Sequence, residues 1–262
     1  MKTFCVVVPS MGRSGKLLDG LVDSCWCESH LVDLLIVWNG PAAAAPTPAE
    51  DFARVVCPGS NLGWLGGSNF GAGIALGGDY SAICFCNDDV VLSGGFFDGL
   101  DRALDEHPRG LLSPVYHTLW RDHYLVGIQQ EPTPHDRADS YKPVALEQRR
   151  RVLDGTCLVV PVEVWRHAGP FDRVWEGANG CGATRDLCRR ASQPPLSAPC
   201  HITGRAFLEH RIATTAKAVH GKRYMATSVE LMRGIARRSF AADYDAWFAP
   251  IPELNPPNVV RD

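Results

Sequence analysis

The chain has no apolar run of about eighteen residues, so none of its segments is expected to span a membrane. Its opening, MKTFCVVVPSMGR, is too short in apolar residues for a secretory signal and reads as a first strand. It also lacks a basic excess. Twenty-six Lys and Arg stand against 29 Asp and Glu, a net charge of -3 with a pI near 6.3. That balance leaves no global footprint for nucleic acid, and the runs Arg149-Arg150-Arg151 and Lys222-Arg223 read as solvated faces. Paired C-x-x-C spacing is missing. The ten cysteines occur as C-x-C (Cys25 and Cys27, Cys84 and Cys86) or inside apolar runs, as Cys5 and Cys157 do. This spacing argues against structural zinc and for buried, reduced thiols in a cytoplasmic protein. No G-x-G-x-x-G follows the first strand, and PSMGRSGK lacks the glycine spacing of a Walker loop. Dinucleotide-dependent dehydrogenases and P-loop enzymes are therefore disfavoured. No internal repeat is visible.

What is present is an alternation of elements. A hydrophobic content of 45% over 262 residues is enough for one large α/β domain or two small ones. Strands are expected at residues 4–8, 31–38, 54–57 and 81–86, and helices at 15–25, 68–76 and 96–106, with a short helix after Pro48. This β-α rhythm predicts a doubly wound sheet. Beyond residue 110 the rhythm changes. Strands are expected at 111–116, 124–128, 157–160 and 201–210, and helices at 162–167, 185–191 and 228–248. Residues 129–151 read as a long loop and the glycine-rich 173–184 as a mobile one. The expected organisation is a domain over 1–215, with halves 1–110 and 111–215, and a helical extension over 216–262.

The most informative stretch is NLGWLGGSNFGAGIALGGDYSAICFCNDDVVL, residues 61–92. A glycine-rich turn opens an apolar helix, and a buried strand then ends in Asn87-Asp88-Asp89. Two adjacent carboxylates at a strand exit repel each other and desolvate badly. A divalent cation with oxygen ligands resolves both problems. A metal beside a glycine turn suits a phosphate-bearing ligand. In open α/β sheets, ligands bind outside the carboxyl ends of strands, where Pro9, Asn39, the glycine turn and Asn87 all fall.

The run N-x-G-x-x-G-G-x-N-x-G followed by Asn-Asp-Asp-Val resembles the family 2 inverting glycosyltransferases of the GT-A fold, in their rhamnosyltransferase and galactofuranosyltransferase-like branch. VVVPSMGR resembles their first strand and loop, GTCLVVPVEVWRHAGPFD their approach to the acceptor side, and DLCRRA the helix after their catalytic acid. The resemblance spans roughly the first four-fifths of the chain. It implies a mixed α/β sheet flanked by helices that binds a nucleotide-sugar through Pro9, Arg13, Trp38, Asn39, Asn61, Gly66, Gly67, Asn69, Asn87 and Asp88. Asp89 takes the last position of the D-x-D-type motif as a ligand for Mn2+ or Mg2+. His210, in EHRIATT, is the candidate further metal ligand, with His220 its competitor.

Two positions depart from the family. The aspartate usual at the end of the second strand is replaced by Trp38-Asn39, which leaves the base open. Aligning on DLCRRA puts Ala183 and Thr184 where the family has its catalytic acidic pair. Threonine is not a general base at neutral pH. The nearest carboxylates are Asp186, at a helix N-terminus, and Glu176, on the glycine-rich loop. The expectation is an inverting, hexosyltransferase-type enzyme using a UDP- or dTDP-sugar, with a glycan, lipid-linked or other hydroxyl acceptor. A nucleic-acid acceptor has lower weight. Rival readings are a non-catalytic sugar-nucleotide- or glycan-binding protein of the same fold, favoured by the missing acidic pair, and a nucleotidyltransferase.

Overall fold

The computed structural model describes residues 3–12, 16–48, 51–118, 138, 142–143, 147–210 and 224–248. Strand β1 (Phe4–Ser10), helix α1 (Lys16–Trp26), β2 (Val32–Trp38), β3 (Ala53–Val56), α2 (Gly63–Ala75) and β4 (Ala82–Cys86) give the expected alternation. Then come β5 (Val90–Leu92), α3 (Phe96–Glu106), β6 (Leu111–Thr118), β7 (Glu147–Arg150), β8 (Cys157–Pro161), α4 (Val162–Ala168), α5 (Ala183–Ser192), β9 (Cys200–His210) and α6 (Tyr224–Ser239). The strands form one sheet in the order β3-β2-β1-β4-β8-β6-β9-β5, with β7 also on β9.

Direction matters more than order here. β1, β2, β3 and β4 are mutually parallel, and β8 is antiparallel to both β4 and β6. Those two reversals cancel. β9, parallel to β6, therefore runs with β1 and β4. Its C-terminal His210 lies at the same sheet edge as Ser10, Asn39 and Asn87, and its N-terminal His201 at the opposite edge.

Side chains alternate across the sheet with period two. Phe4, Val6 and Val8 join Leu34, Ile36, Cys84 and the inner faces of α1 and α3. Cys5 and Val7 join Leu35, Val37, Phe85, Leu158 and helices α2, α4 and α5. Both faces are thus covered, as a parallel sheet requires. The second cluster also takes in Met232, Ile235 and Ala236 of α6. The C-terminal helix is built into the core of the sheet domain.

Several expectations change. β7 lies inside the expected loop 129–151 and pairs antiparallel with Cys200–Thr203 of β9. β5 is a further short strand. Residues 173–184 are structured: Arg173–Ala178 form a 3-10 helix around the fully buried Trp175, and α5 begins at Ala183. Ala42–Ala44 form a 3-10 turn in the connection after β2. The expected strand at 124–128 lies outside the described residues. All ten cysteines are free thiols. Burial pushes the Cys5 thiol up to about 12, so it packs as an inert apolar group.

Candidate active site

Three strand ends meet at the edge where β1, β2 and β4 finish. At the end of β1, the Ser10 hydroxyl donates to Asp88 Oδ2 at 2.6 Å, and the Gly12 N–H donates to the Ser10 hydroxyl. At the end of β2, Asn39 Oδ1 accepts from the Leu62 N–H and its Nδ2 donates to Gly63 O, which pins the start of α2. At the end of β4, Asn87 Oδ1 accepts from Trp64 Nε1 at 3.1 Å, while its backbone N–H donates to Thr156 O.

β5 leaves directly from Asp89 and pairs with the end of β9, with Val90 opposite His210. This pairing brings two residues 121 positions apart into contact: His210 Nε2 lies 3.1 Å from Asp89 Oδ1. The same nitrogen is 3.4 Å from Asn87 Nδ2. Asp88 and Asp89 are both buried, at 8% and 5% exposure. A buried pair of adjacent carboxylates is costly unless compensated. Here the first leans on a hydroxyl and the second on an imidazole. One carboxylate oxygen and one imidazole nitrogen at this spacing are a donor pair of the kind divalent cations take.

Other expected ligands take structural roles. α2 starts at Gly63, so Gly66 and Gly67 lie within the helix rather than in a turn. A Cβ on Gly67 would lie 2.9 Å from Pro9 Cβ, and one on Gly71 2.3 Å from Val7 Cγ1. These two glycines let α2 lie close on β1. Asn69 spends both amide atoms on the Phe171 backbone, at 2.8 and 2.9 Å, and so clamps the loop after α4. Trp38 is buried, its N–H donates to Pro41 O, and its ring packs beside Gly12 and Gly40. Its geometry is that of a loop anchor rather than a stacking platform for a base. Asn61 is exposed, with Oδ1 accepting from the Gly63 N–H. Arg13, His220, Lys222 and Arg223 lie outside the described residues.

Both expected bases are engaged in ion pairs with arginine. Asp186 is fully buried, and its two oxygens accept from Arg189 and Arg190 at 2.9 to 3.2 Å. A carboxylate held by two guanidiniums inside α5 ties the helix to its neighbours; Arg190 also donates to Pro170 O. Glu176 pairs with Arg173 on the surface. The slot itself holds Ala183, which is buried, and Thr184, which is half-buried. Thr184 borders Gly155, where an added Cβ would lie 3.2 Å from Thr184 Cγ2 and 3.4 Å from the Trp64 ring. The adjoining Asp154 accepts from both the N–H and the hydroxyl of Thr156.

Sequence reasoning missed Ser10, Trp64 and Asp154. Ser10 had a signal, since it ends the first strand at the ligand edge. Trp64 sits inside the glycine motif and orients Asn87. Asp154 gave no local signal, because its place beside Gly155 and Thr184 comes from the fold.

Comparison with known proteins supports the fold. No family model matches the chain. Uncharacterized proteins of Mycobacterium tuberculosis and Mycobacterium bovis are 28% identical over 212 residues, covering 80% of this chain and 76% of theirs. The structure of GalNAc-T7 with UDP, GalNAc and Mn2+ superposes with a TM-score of 0.64 at 10% identity over 93% of this chain. S. aureus TarS 1-349 in complex with UDP gives 0.54 at 12% identity over 94%. This chain spans about half of the GalNAc-T7 chain, 49%, and 74% of the TarS fragment. Among the described residues no helix is long and apolar enough to cross a membrane. The chain carries the GT-A fold of these glycosyltransferases.

Proposed function

We propose that this chain is a divalent-metal-dependent glycosyltransferase that moves a sugar from a UDP- or dTDP-sugar to an acceptor hydroxyl, with inversion at the anomeric carbon. The observation that carries this reading is the Asp89–His210 pair beside Ser10–Asp88, at the edge where the parallel strands end. Asp89 and His210 are assigned to the metal and Asp88 to a hydroxyl of the donor. Mn2+ or Mg2+ held there supplies positive charge against the departing nucleoside diphosphate. The imidazole in the donor set favours Mn2+ over Mg2+, which prefers oxygen ligands and water. Mn2+ and UDP in the GalNAc-T7 structure are consistent with this assignment. The glycine and D-x-D-like motifs support the rhamnosyltransferase-like branch.

The arginine pairing of Asp186 and Glu176 favours another base for the acceptor proton. We assign that role to Asp154. The Asp154–Thr156 turn joins the vacated acidic slot, through Gly155 and Thr184, to the strand exit, through Thr156 O and Asn87. Its bonds to Thr156 fix the carboxylate, so that it can take a proton from a hydroxyl attacking the anomeric carbon in line. The loss of the usual acidic pair favours a second reading, a sugar-nucleotide-binding protein without turnover. A panel of UDP- and dTDP-sugars with Mn2+, assayed for released nucleoside diphosphate with and without sugar acceptors, separates the two. Release is expected from at least one donor. Tight binding without release from any donor supports the non-catalytic reading.

A further inference from the structure

A second cluster of metal-ligating side chains lies at the opposite edge of the sheet. His107 follows α3, Glu147 opens β7 and His201 is the second residue of β9. One ligand atom from each lies within 4.8 Å of the other two. His201 and His210 are nine residues apart on one strand, which puts this cluster roughly 25–30 Å from the Asp89–His210 pair. It takes no part in the chemistry proposed above, and the inference does not depend on that proposal.

The cluster has an unmet need. His107 Nε2 and His201 Nδ1 are both buried and have no hydrogen-bond partner. Orphaned polar atoms of this kind cost about 1–3 kcal/mol each. The two rings stack at 3.8 Å between centroids. Glu147 Oε2 lies 3.7 Å from His107 Nε2, close enough to attract it but too long for a hydrogen bond. The other carboxylate oxygen is already positioned. Glu147 Oε1 accepts from the Thr203 hydroxyl at 2.6 Å and lies 3.4 Å from Arg205 Nε. Such outer bonds are what orient a ligating carboxylate.

We propose that His107, Glu147 and His201 bind a divalent transition-metal ion of the zinc class. Two imidazoles and a carboxylate are a common zinc donor set, with a fourth position left to water. The ion satisfies both orphaned nitrogens and ties the start of β7 to β9 and to the residue that follows α3. β7 has four residues and, among the described residues, pairs with β9 alone. A metal bridging Glu147 to His201 and His107 holds it against the end of α3. Arg149 and Arg205 lie nearby and reduce the local attraction for a cation, so the site depends on its ligands rather than on a general acidic field.

The test uses the full chain carrying Asp89→Ala, which removes the donor-site carboxylate, titrated with Co2+ as a spectroscopic substitute for zinc under reducing conditions. One ion per chain is expected, with weak d–d absorption and no thiolate charge-transfer band. Adding His201→Ala, or the shape-conserving Glu147→Gln at an exposed strand position, is expected to weaken binding by about tenfold to a hundredfold. Circular dichroism of Glu147→Gln checks that the fold persists. Binding unchanged by either substitution, no binding at all, or a thiolate band showing that cysteines hold the ion would overturn the proposal.

Discussion

At the scale of single residues, the proposed site turns on two adjacent buried carboxylates, Asp88 held by the Ser10 hydroxyl and Asp89 by the His210 imidazole. The Asn87-Asp88-Asp89 exit announced itself, because two ionised neighbours at a strand end have few structural uses. Pairing Asp89 with His210 needed a resemblance, since 121 residues separate them and only the β5–β9 register joins them. The glycines were legible as glycines but not as to purpose: a gap for a phosphate and a gap for a strand look alike in sequence. Asp186 misled for a related reason. An acid in the first turn of a helix suits a cap, a base or an ion pair, and its two arginine partners follow at i+3 and i+4 on the same helix face. Asp186→Asn is expected to lower stability by about 3 kcal/mol or more, as breaking a buried ion pair does. Donor turnover per folded molecule should stay unchanged, which thermal melts and kinetics on the folded fraction together check. Asp154→Asn is expected to do the opposite. Turnover should fall by about a hundredfold or more, with nucleoside diphosphate affinity retained in calorimetry. Full turnover in Asp154→Asn would remove it as the base.

At the scale of elements, most long apolar runs were read to within a residue or two, but the last helix was not: expected at 228–248, it runs over Tyr224–Ser239 and gives way to a 3-10 turn at Ala241–Asp243 and a π turn at Tyr244–Phe248. α3 was expected at 96–106 and is found there. The shortest strands were not legible. β5 has three residues, and β7 reads EQRR, so neither has the alternation that marks a half-buried strand. The start of α2 was placed five residues late because Gly63, Gly66 and Gly67 resemble a loop. They belong to a helix that the sheet needs close. Gly71→Ala, which puts a methyl 2.3 Å from Val7 Cγ1, is expected to cost about 1–3 kcal/mol in urea unfolding although alanine is the better helix former. α3 also borrows its cap. Gly95 offers no side chain, and Glu28 Oε2 accepts from the Asp98 N–H at 2.8 Å. Burial raises the Glu28 carboxyl above its ordinary 4.5, against the lowering effect of that bond. The folded chain therefore keeps the proton to higher pH than the unfolded one. Stability from this group is greatest below 4.5 and declines as pH rises through the folded value. The stability of Glu28→Gln relative to wild type should accordingly rise across that interval in denaturant titrations at stepped pH; a pH-independent difference would contradict the assignment.

For the whole molecule, the β-α alternation of the first 110 residues was enough to anticipate a doubly wound sheet covered on both faces. The second half was less legible, because its order depends on non-local pairing. β8 enters antiparallel between β4 and β6, and only that double reversal turns β9 back toward the ligand edge. The proposed site is thus a product of topology: the first half supplies Ser10, Asn39 and Asn87–Asp89, and the last strand supplies His210. The central claim is that these halves meet around a metal that holds a nucleoside diphosphate. Its most direct test is calorimetric titration of UDP into the wild-type chain and Asp89→Ala, each with Mn2+ and with chelator. Wild type with Mn2+ should bind at least about tenfold more tightly than wild type with chelator, a difference of roughly 1.4 kcal/mol. Asp89→Ala should bind equally weakly in both conditions. Equal UDP affinity for wild type with and without Mn2+ would contradict the account.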